Sequence, residues 1–322
     1  MAEEMSSYVF RFADSYDWMS HITRQNPLVI TCAINGGVQG KEAHEALPET
    51  ADEIAAAAYE AHSAGATVVH IHGRDPEKLW DCSGSAEVYR EINAKVRERC
   101  PEMIINNSTG GGFSTTNEDR LRQLEAMPEM ASLNIGPEMV RFKMPPRPAP
   151  LQHPHDGFEF DDCSGPTYGF IEQLAQEMLN LGIKAEMEIY DPGQYWVAAD
   201  LIEQQLVKPP YYFQYVMGYQ TSIYPTPSNL IDMVRELPDG SMFSTIGIGK
   251  YQWALTTMSI ILGGNVRVGL EDNLYLKKGR KLTGNGEAVE RMVRIADELN
   301  RPVASCAEAR RMLGIPSTPS SY

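Results

Sequence analysis

The chain has 322 residues and a mass of 35.9 kDa, which is long for one sandwich or bundle and short for two large domains. Hydrophobic residues make up 43% and charged residues 22%, so a large core can form and global disorder is excluded. Against 43 Asp and Glu stand 28 Lys and Arg, and the formal net charge of −15 argues against a nucleic-acid or anionic-membrane partner, though not against a small anion held at a local positive site. Taken in chain order, short β-branched runs alternate with helical patterns. A first strand is predicted over Leu28 to Ile34, followed by the polar turn Asn35-Gly36-Gly37. A helix is predicted from Thr50 to Ser63, opened by Thr50 with Glu53 three residues on, a capping box, and closed near Gly65.

The second strand is predicted over Thr67 to His72, with a helix from Ser85 to Arg99 behind it. The third covers Met103 to Asn107 and runs into Ser108-Thr109-Gly110-Gly111-Gly112; a helix from Asn117 to Ala126 leads to a fourth strand, Ala131 to Ile135. After a helix from Tyr168 to Leu181, with Gly182 at its C-cap, comes the fifth strand, Lys184 to Tyr190. The sixth is Tyr211 to Met217, the seventh Met242 to Ile248 and the eighth Val266 to Leu270, with helices from Tyr251 to Leu262 and from Gly286 to Leu299. Strands alternating with helices imply parallel pairing, and eight such units imply an α/β (β/α)8 TIM barrel. Such a barrel needs about 250 residues, so roughly 70 are surplus. The surplus is expected in an N-terminal extension, residues 1–27, and in a long Pro-rich loop after strand 4, residues 137–166, which reads as a lid or interface element. Residues 28–322 are then one catalytic barrel.

The five cysteines are odd in number and widely spaced, with no CxxC pair, which fits a reducing cytoplasm. The acidic, polar start is not a signal peptide, and no apolar run approaches the roughly 20 residues of a membrane span.

Catalytic residues of such a barrel lie at the C-terminal ends of its strands. The second strand ends His70-Ile71-His72, and residues two apart on a strand point the same way, so the two imidazoles make half of a metal site. A carboxylate would complete a catalytic set of two histidines and one acid; Glu271, at the end of the eighth strand, competes for that place with Glu186 and Glu188 on the fifth. The His153 and His155 pair reads as solvated loop, and His21, His44 and His62 have no metal-like spacing. Ser108, Thr109 and Gly110 open a loop of hydroxyls and backbone N–H groups that reads either as a nest for a carboxylate or phosphate or as a plain turn. Arg267 and Asp272 read either as a structural ion pair or as an acid/base pair with Arg267 holding substrate charge. The stretch Gly247-Ile248-Gly249-Lys250 lacks P-loop spacing but can offer a helix N-terminus to an anion. Lys277, Lys278, Arg280 and Lys281 cluster in an otherwise acidic chain, either as a solvated loop or as a rim for a polyphosphate such as that of coenzyme A.

Together these stretches resemble the β-keto acid cleavage enzyme family: LVITCAINGG (28–37), GATVVHIHGRDP (65–76), INNSTGGG (105–112), PEMASLNIGP (128–137), AEMEIYDPG (185–193), GIGKYQ (247–252) and VRVGLEDNLYLKKG (266–279). The resemblance covers nearly all of the chain after residue 27. It implies a barrel holding one divalent metal, usually zinc, that converts a β-keto acid and acetyl-CoA into acetoacetate and a new acyl-CoA by Claisen and retro-Claisen steps. It implies His70, His72 and Glu271 as metal ligands; Arg267, Asp272 and Glu188 as catalytic residues, with Asp272 the base; and Ser108, Thr109, Gly110, Ser132 and Asn134 as substrate-binding residues. It also implies a homo-oligomer, commonly a tetramer.

One departure is Val38, where some members carry a Glu that meets an amino group; the substrate is therefore expected to differ from a short primary-amine keto acid. Trp196, Tyr219 and Tyr224 are candidates to face a bulky or quaternary-ammonium side group. The competing readings are a metal-dependent aldolase, lyase or hydrolase that needs no CoA, and a non-catalytic ligand-binding barrel. A Schiff-base aldolase is disfavoured because Lys184 sits at a strand's start.

Overall fold

The computed structural model describes residues 25–322, together with Met19. The expected N-terminal extension therefore lies, but for Met19 and residues 25–27, outside the described residues.

Eight parallel strands close into a barrel: β1 (Ile30–Ala33), β2 (Val68–Ile71), β3 (Ile104–Asn107), β4 (Met130–Asn134), β5 (Lys184–Ile189), β6 (Tyr211–Met217), β7 (Ser241–Gly247) and β8 (Asn265–Val268). They are ordered in space as in sequence, with β8 pairing back onto β1 in the register Thr31 to Arg267. A helix follows each strand: α1 (Ala51–Ser63), α2 (Ala86–Arg99), α3 (Asn117–Gln123), α4 (Tyr168–Leu181), α5 (Tyr195–Glu203), α6 (Pro227–Arg235), α7 (Gln252–Ile261) and α8 (Asn285–Glu298). The sequence signals act as expected. Thr50 and Glu53 form a reciprocal capping box on α1, and Gly182 ends α4 in the left-handed region at φ 70°.

Apolar residues fill the layer between strands and helices in two large clusters. One is built around Leu133, Met187, Phe213 and Phe243, the other around Ile30, Val69, Ile105 and Val268. The strands are thus apolar outward, toward the helices, and carry polar side chains inward, which is how His70, Asn106, Glu186 and Arg267 come to be buried inside a barrel.

The barrel floor is closed by a further helix beyond the eight of the barrel, α9 (Cys306–Leu313), which was not among the helices expected from the sequence. Its Ala309, Met312 and Leu313 pack on Val29, Val68, Ile104 and Met130 at the N-terminal strand ends. The signal for it was present, since Ser305 and Glu308 form a capping box.

The Pro-rich segment after β4 is not an irregular loop. Glu138–Met144 and Phe158–Ser164 pair antiparallel as a ribbon. The ribbon is tied to the loop after β6, where Gln220 and Thr221 side chains bond the backbone of Arg141 and Met139. Its base is held by Arg147, which bonds Glu42 and Glu49 from the loop after β1. His155 is half-buried rather than solvated, with its ring 5.0 Å from Trp80, while His153 is exposed. Trp80 fills its flank, and burying a ring against it outweighs the polarity expected of a loop histidine. Two shorter hairpins, Arg74–Cys82 and Tyr275–Lys281, also rise beside the strand ends.

Candidate active site

A cavity of about 1000 Å³ opens at the C-terminal ends of the strands. His70 ends near the top of β2, and His72 lies one residue beyond it. The strand stops there because Asn35 takes over the backbone: its amide accepts from His72 N at 3.0 Å and donates to His72 O at 2.7 Å. Arg74 in turn bonds Asn35 O and Gln39 O, so the loop after β1 is fixed against the histidines. Gly37 belongs to this contact, since a Cβ there would sit 2.2 Å from Gly111 O and 2.9 Å from His72 Nδ1.

After β8 the chain turns at Gly269, φ 140°, where a Cβ would meet Ala33 O at 2.1 Å. The turn brings Glu271 over the histidines. Its Oε1 lies 3.3 Å from His72 Nε2 and 3.8 Å from His70 Nε2. The three ligand atoms lie within 4.8 Å of one another, and among the described residues this is the group that could hold a metal ion. Of the carboxylates that competed for the third place, Glu186 faces the opposite nitrogen, His70 Nδ1, at 3.9 Å and accepts from Asn106 at 2.9 Å.

The donor set fits a divalent cation. Glu271 Oε2 is sealed from solvent without a hydrogen-bond partner. Burial opposes charge on Glu271, but Arg267, His72 and His70 outweigh it and hold the carboxyl well below the usual range. Burial likewise opposes charge on His72, yet Glu271 and Cys82 carry its pKa up to about 9. Burial and then Arg267 push His70 far down, keeping that imidazole neutral and able to ligate.

Arg267, 3% exposed, is the hub of the site. It donates to both oxygens of Asp272, from Nε at 3.1 Å and Nη2 at 3.0 Å. It also donates to Glu188 Oε1 at 3.2 Å and to Glu271. Arg267 and Asp272 thus form the ion pair of the first reading, in one fork-shaped contact. Burial raises the Asp272 carboxyl, Arg267 opposes it, and the balance is a pKa of about 7, within reach of a proton acceptor working near neutrality. The second oxygen of Glu188 accepts from Tyr190 at 3.2 Å, and burial raises its pKa.

The Ser-Thr-Gly-Gly-Gly loop is less open than the sequence suggested. Ser108 Oγ accepts from Gly110 N at 3.1 Å and Thr115 Oγ1 accepts from Gly112 N at 2.8 Å, so neither N–H is free. The hydroxyl hydrogen of Ser108 is left to point at a ligand. Ser108, Gly110 and Asn134 line the cavity. Thr109 and Ser132 do not: they bond each other, Thr109 N to Ser132 Oγ at 3.0 Å and Thr109 Oγ1 to Ser132 O at 2.7 Å, and hold β3 to β4 beneath the cavity.

Of the three candidate aromatics, Tyr219 lines the cavity. Trp196 and Tyr224, 80% and 81% exposed, face solvent because α5 and the loop before α6 turn them away from the barrel mouth. Lys277 and Lys278 lie on the rim, joined by Lys250, whereas Arg280 pairs with Glu287 and Lys281 bonds Ala43 O. Val38 lines the wall. The sequence reading missed Glu138, Val140, Phe142 and Phe160 from the ribbon, and Arg120 and Tyr190 from the barrel. The alternating apolar pattern of 138–144 was the available signal for the ribbon.

No helix among the described residues is long and apolar enough to cross a membrane. In fold, the chain is similar to apo ObcA, with a TM-score of 0.63 at 20% identity, covering 84% of this chain and 65% of that one, so it spans about two thirds of ObcA's length. In sequence, it is 35% identical to a 3-keto-5-aminohexanoate cleavage enzyme of Fusobacterium nucleatum subsp. nucleatum, over 89% of this chain and 98% of that protein. It is 36% identical to the enzyme of the same name from Acetoanaerobium sticklandii, with the same coverage. It is 28% identical to a 3-dehydrocarnitine:acetyl-CoA trimethylamine transferase of Rhizobium meliloti, over 91% of this chain and 98% of that protein. The model of the beta-keto acid cleavage enzyme family matches residues 27–315, nearly the whole described barrel, and the chain belongs to that family.

Proposed function

We propose that this protein condenses a β-keto acid with acetyl-CoA and cleaves the adduct to acetoacetate and a new acyl-CoA, using a divalent metal, zinc on this reading, held by His70, His72 and Glu271. The observation that supports it is the convergence, in one cavity, of that ligand set with an arginine-clamped carboxylate of near-neutral pKa. A cation at the three ligands supplies Lewis-acid polarisation of the substrate's keto oxygen. Ser108 donates its hydroxyl hydrogen to the substrate carboxylate. Asp272, oriented by Arg267, takes the proton from the carbon between the two carbonyl groups. The carbanion attacks the thioester carbonyl of acetyl-CoA. The displaced CoA thiolate then adds to the substrate's own keto carbon, the bond to the former α-carbon breaks to leave the new acyl-CoA, and the carbanion takes back the proton from Asp272 and leaves as acetoacetate. Glu188 holds the far side of Arg267 and keeps the guanidinium in register. Lys250, Lys277 and Lys278 on the rim suit the phosphates of CoA.

Assembly as a homotetramer and residence in the cytoplasm belong to the same reading, the latter supported by cysteines that are free, including four buried ones. The test is a panel of β-keto acids incubated with and without acetyl-CoA, with acetoacetate and acyl-CoA as readouts and metal analysis of the purified protein. Cleavage that proceeds equally well without acetyl-CoA would favour an aldolase or lyase and overturn the proposal.

A further inference from the structure

We infer that a subsite beside the reacting groups, formed by the Glu138 carboxylate and the rings of Phe142, Tyr190 and Tyr219, receives an ammonium group carried by the β-keto acid. The inference rests on the β-keto acid reading above and adds the chemical class of the side group.

Two acceptors in this part of the cavity lack partners. Glu138 Oε2 and Asn134 Oδ1 are both sealed from bulk solvent and neither has a hydrogen-bond partner among the described residues. Glu188 is different, since Arg267 and Tyr190 engage its two oxygens. Leaving a buried acceptor unmade is costly, so both atoms suit a ligand that donates or carries positive charge. Burial and the neighbouring Glu188 push the Glu138 carboxyl up to about 8, and the opposing charge of Arg120 does not offset them. Glu138 in turn acts on Tyr190 and Tyr219, where burial and then this carboxylate raise the phenol pKa values.

The rings form a bent wall along the cavity. Phe142 and Tyr219 have centroids 5.9 Å apart and are tilted by 50°; Tyr190 and Tyr219 are also 5.9 Å apart and tilted by 56°. Aromatic faces next to a carboxylate attract a cation through the ring quadrupole and the charge together. Of the guanidinium groups lining the cavity, Arg120 is committed through Nη1 to Thr109 O and Gly110 O, and Arg267 to Asp272, Glu188 and Glu271. An anionic side group would meet Arg120 but also two carboxylates, Glu138 and Glu188. A neutral one would leave the unpaired acceptors as they are. An ammonium group satisfies both acceptors and rings, and it does so without a charge at Val38, on a different segment of the wall.

The experiment compares kcat/KM for two pairs of β-keto acids that differ only in charge. One pair is 4-(trimethylammonio)-3-oxobutanoate and its carbon isostere 5,5-dimethyl-3-oxohexanoate; the other is 5-amino-3-oxohexanoate and 5-methyl-3-oxohexanoate. The anionic 3-oxoadipate is the fifth probe. At least one ammonium substrate is expected to exceed its isostere by about tenfold or more, and Glu138→Gln is expected to reduce that ratio by about tenfold. The pair that shows the preference tells quaternary from primary ammonium. Should Glu138→Gln turn over neither member, Tyr219→Leu reads the same ratio through the ring wall. Isosteres or 3-oxoadipate used as well as the ammonium acids, or a ratio that neither substitution lowers, overturns the inference and leaves the β-keto acid reading standing. Acetoacetate from none of the five overturns both.

Discussion

Arg147→Met strands two buried carboxylates, and the consequences can be worked from the structure. Arg147 is 1% exposed, as is the side chain of Glu42, and that of Glu49 is 3% exposed. Its Nη1 and Nη2 donate to the two oxygens of Glu49 at 2.7 and 2.8 Å, Nη1 also reaches Glu42, and Nε donates to Gln152 O at 2.6 Å. Methionine fills most of the volume but leaves Glu42 and Glu49 facing each other without a counter-charge. Removing one partner of a buried pair typically costs about 3–5 kcal/mol. At roughly 2 °C per kcal/mol, suited to a chain of this length, the melting temperature falls by about 6–10 °C. Because Arg147 ties the ribbon to the loop after β1, and both line the cavity, KM for the keto acid rises more than kcat falls. Calorimetry with steady-state kinetics measures both. Adding Glu42→Gln and Glu49→Gln removes the stranded charges and recovers a large part of the lost stability. A melting temperature within about 2 °C of wild type for Arg147→Met alone would refute the reasoning, since it would mean the triad carries no net energy.

Other outcomes follow from the same geometry. His70→Ala and His72→Ala each lose bound metal by elemental analysis and lose activity together with it, whereas chelation of the wild type abolishes activity that added divalent metal restores. Asp272→Asn keeps its metal but lowers kcat by at least about 10², and wild-type turnover in that variant would remove Asp272 as the base. Glu138, with a pKa near 8 when folded, binds more protons folded than unfolded between its ordinary range and pH 8, so wild-type stability falls as pH rises through that window. Glu138→Gln has no such group; in the substrate-free protein it should match wild type near pH 5 and melt higher than wild type at pH 8.5. Equal pH dependence of the two would show that Glu138 ionises freely.

The histidine pair of the candidate metal site was legible because it depends only on local geometry: two histidines at i and i+2 on one strand must face the same side. Choosing Glu271 over Glu186 was not local. Glu186 lies within β5 and Glu271 beyond the end of β8, and the turn at Gly269 drops Glu271 onto the Nε2 side of both rings while Glu186 meets the other face of His70. Thr109 and Ser132 illustrate the reverse case. Their types and positions suit a ligand, but the β3 to β4 contact takes up the Thr109 N–H and hydroxyl, and neither residue lines the cavity.

By itself the sequence determined the alternation of strands and helices, hence the barrel, because hydrophobic period and caps are written within each segment. It also determined that His70, His72, Arg267 and Glu271 come from the C-terminal ends of strands, where the cavity opens. Tertiary structure alone decided what the surplus chain does. Between residues 137 and 166 the prolines and polar residues mask a ribbon whose stability comes from partners far away in sequence: Gln220 at its edge, Glu42 and Glu49 at its base, Phe113 against Phe158 and Phe160 beneath it. Those contacts bring Glu138 and Phe142 to the cavity wall, and long-range contacts of that kind have no local pattern from which to be read.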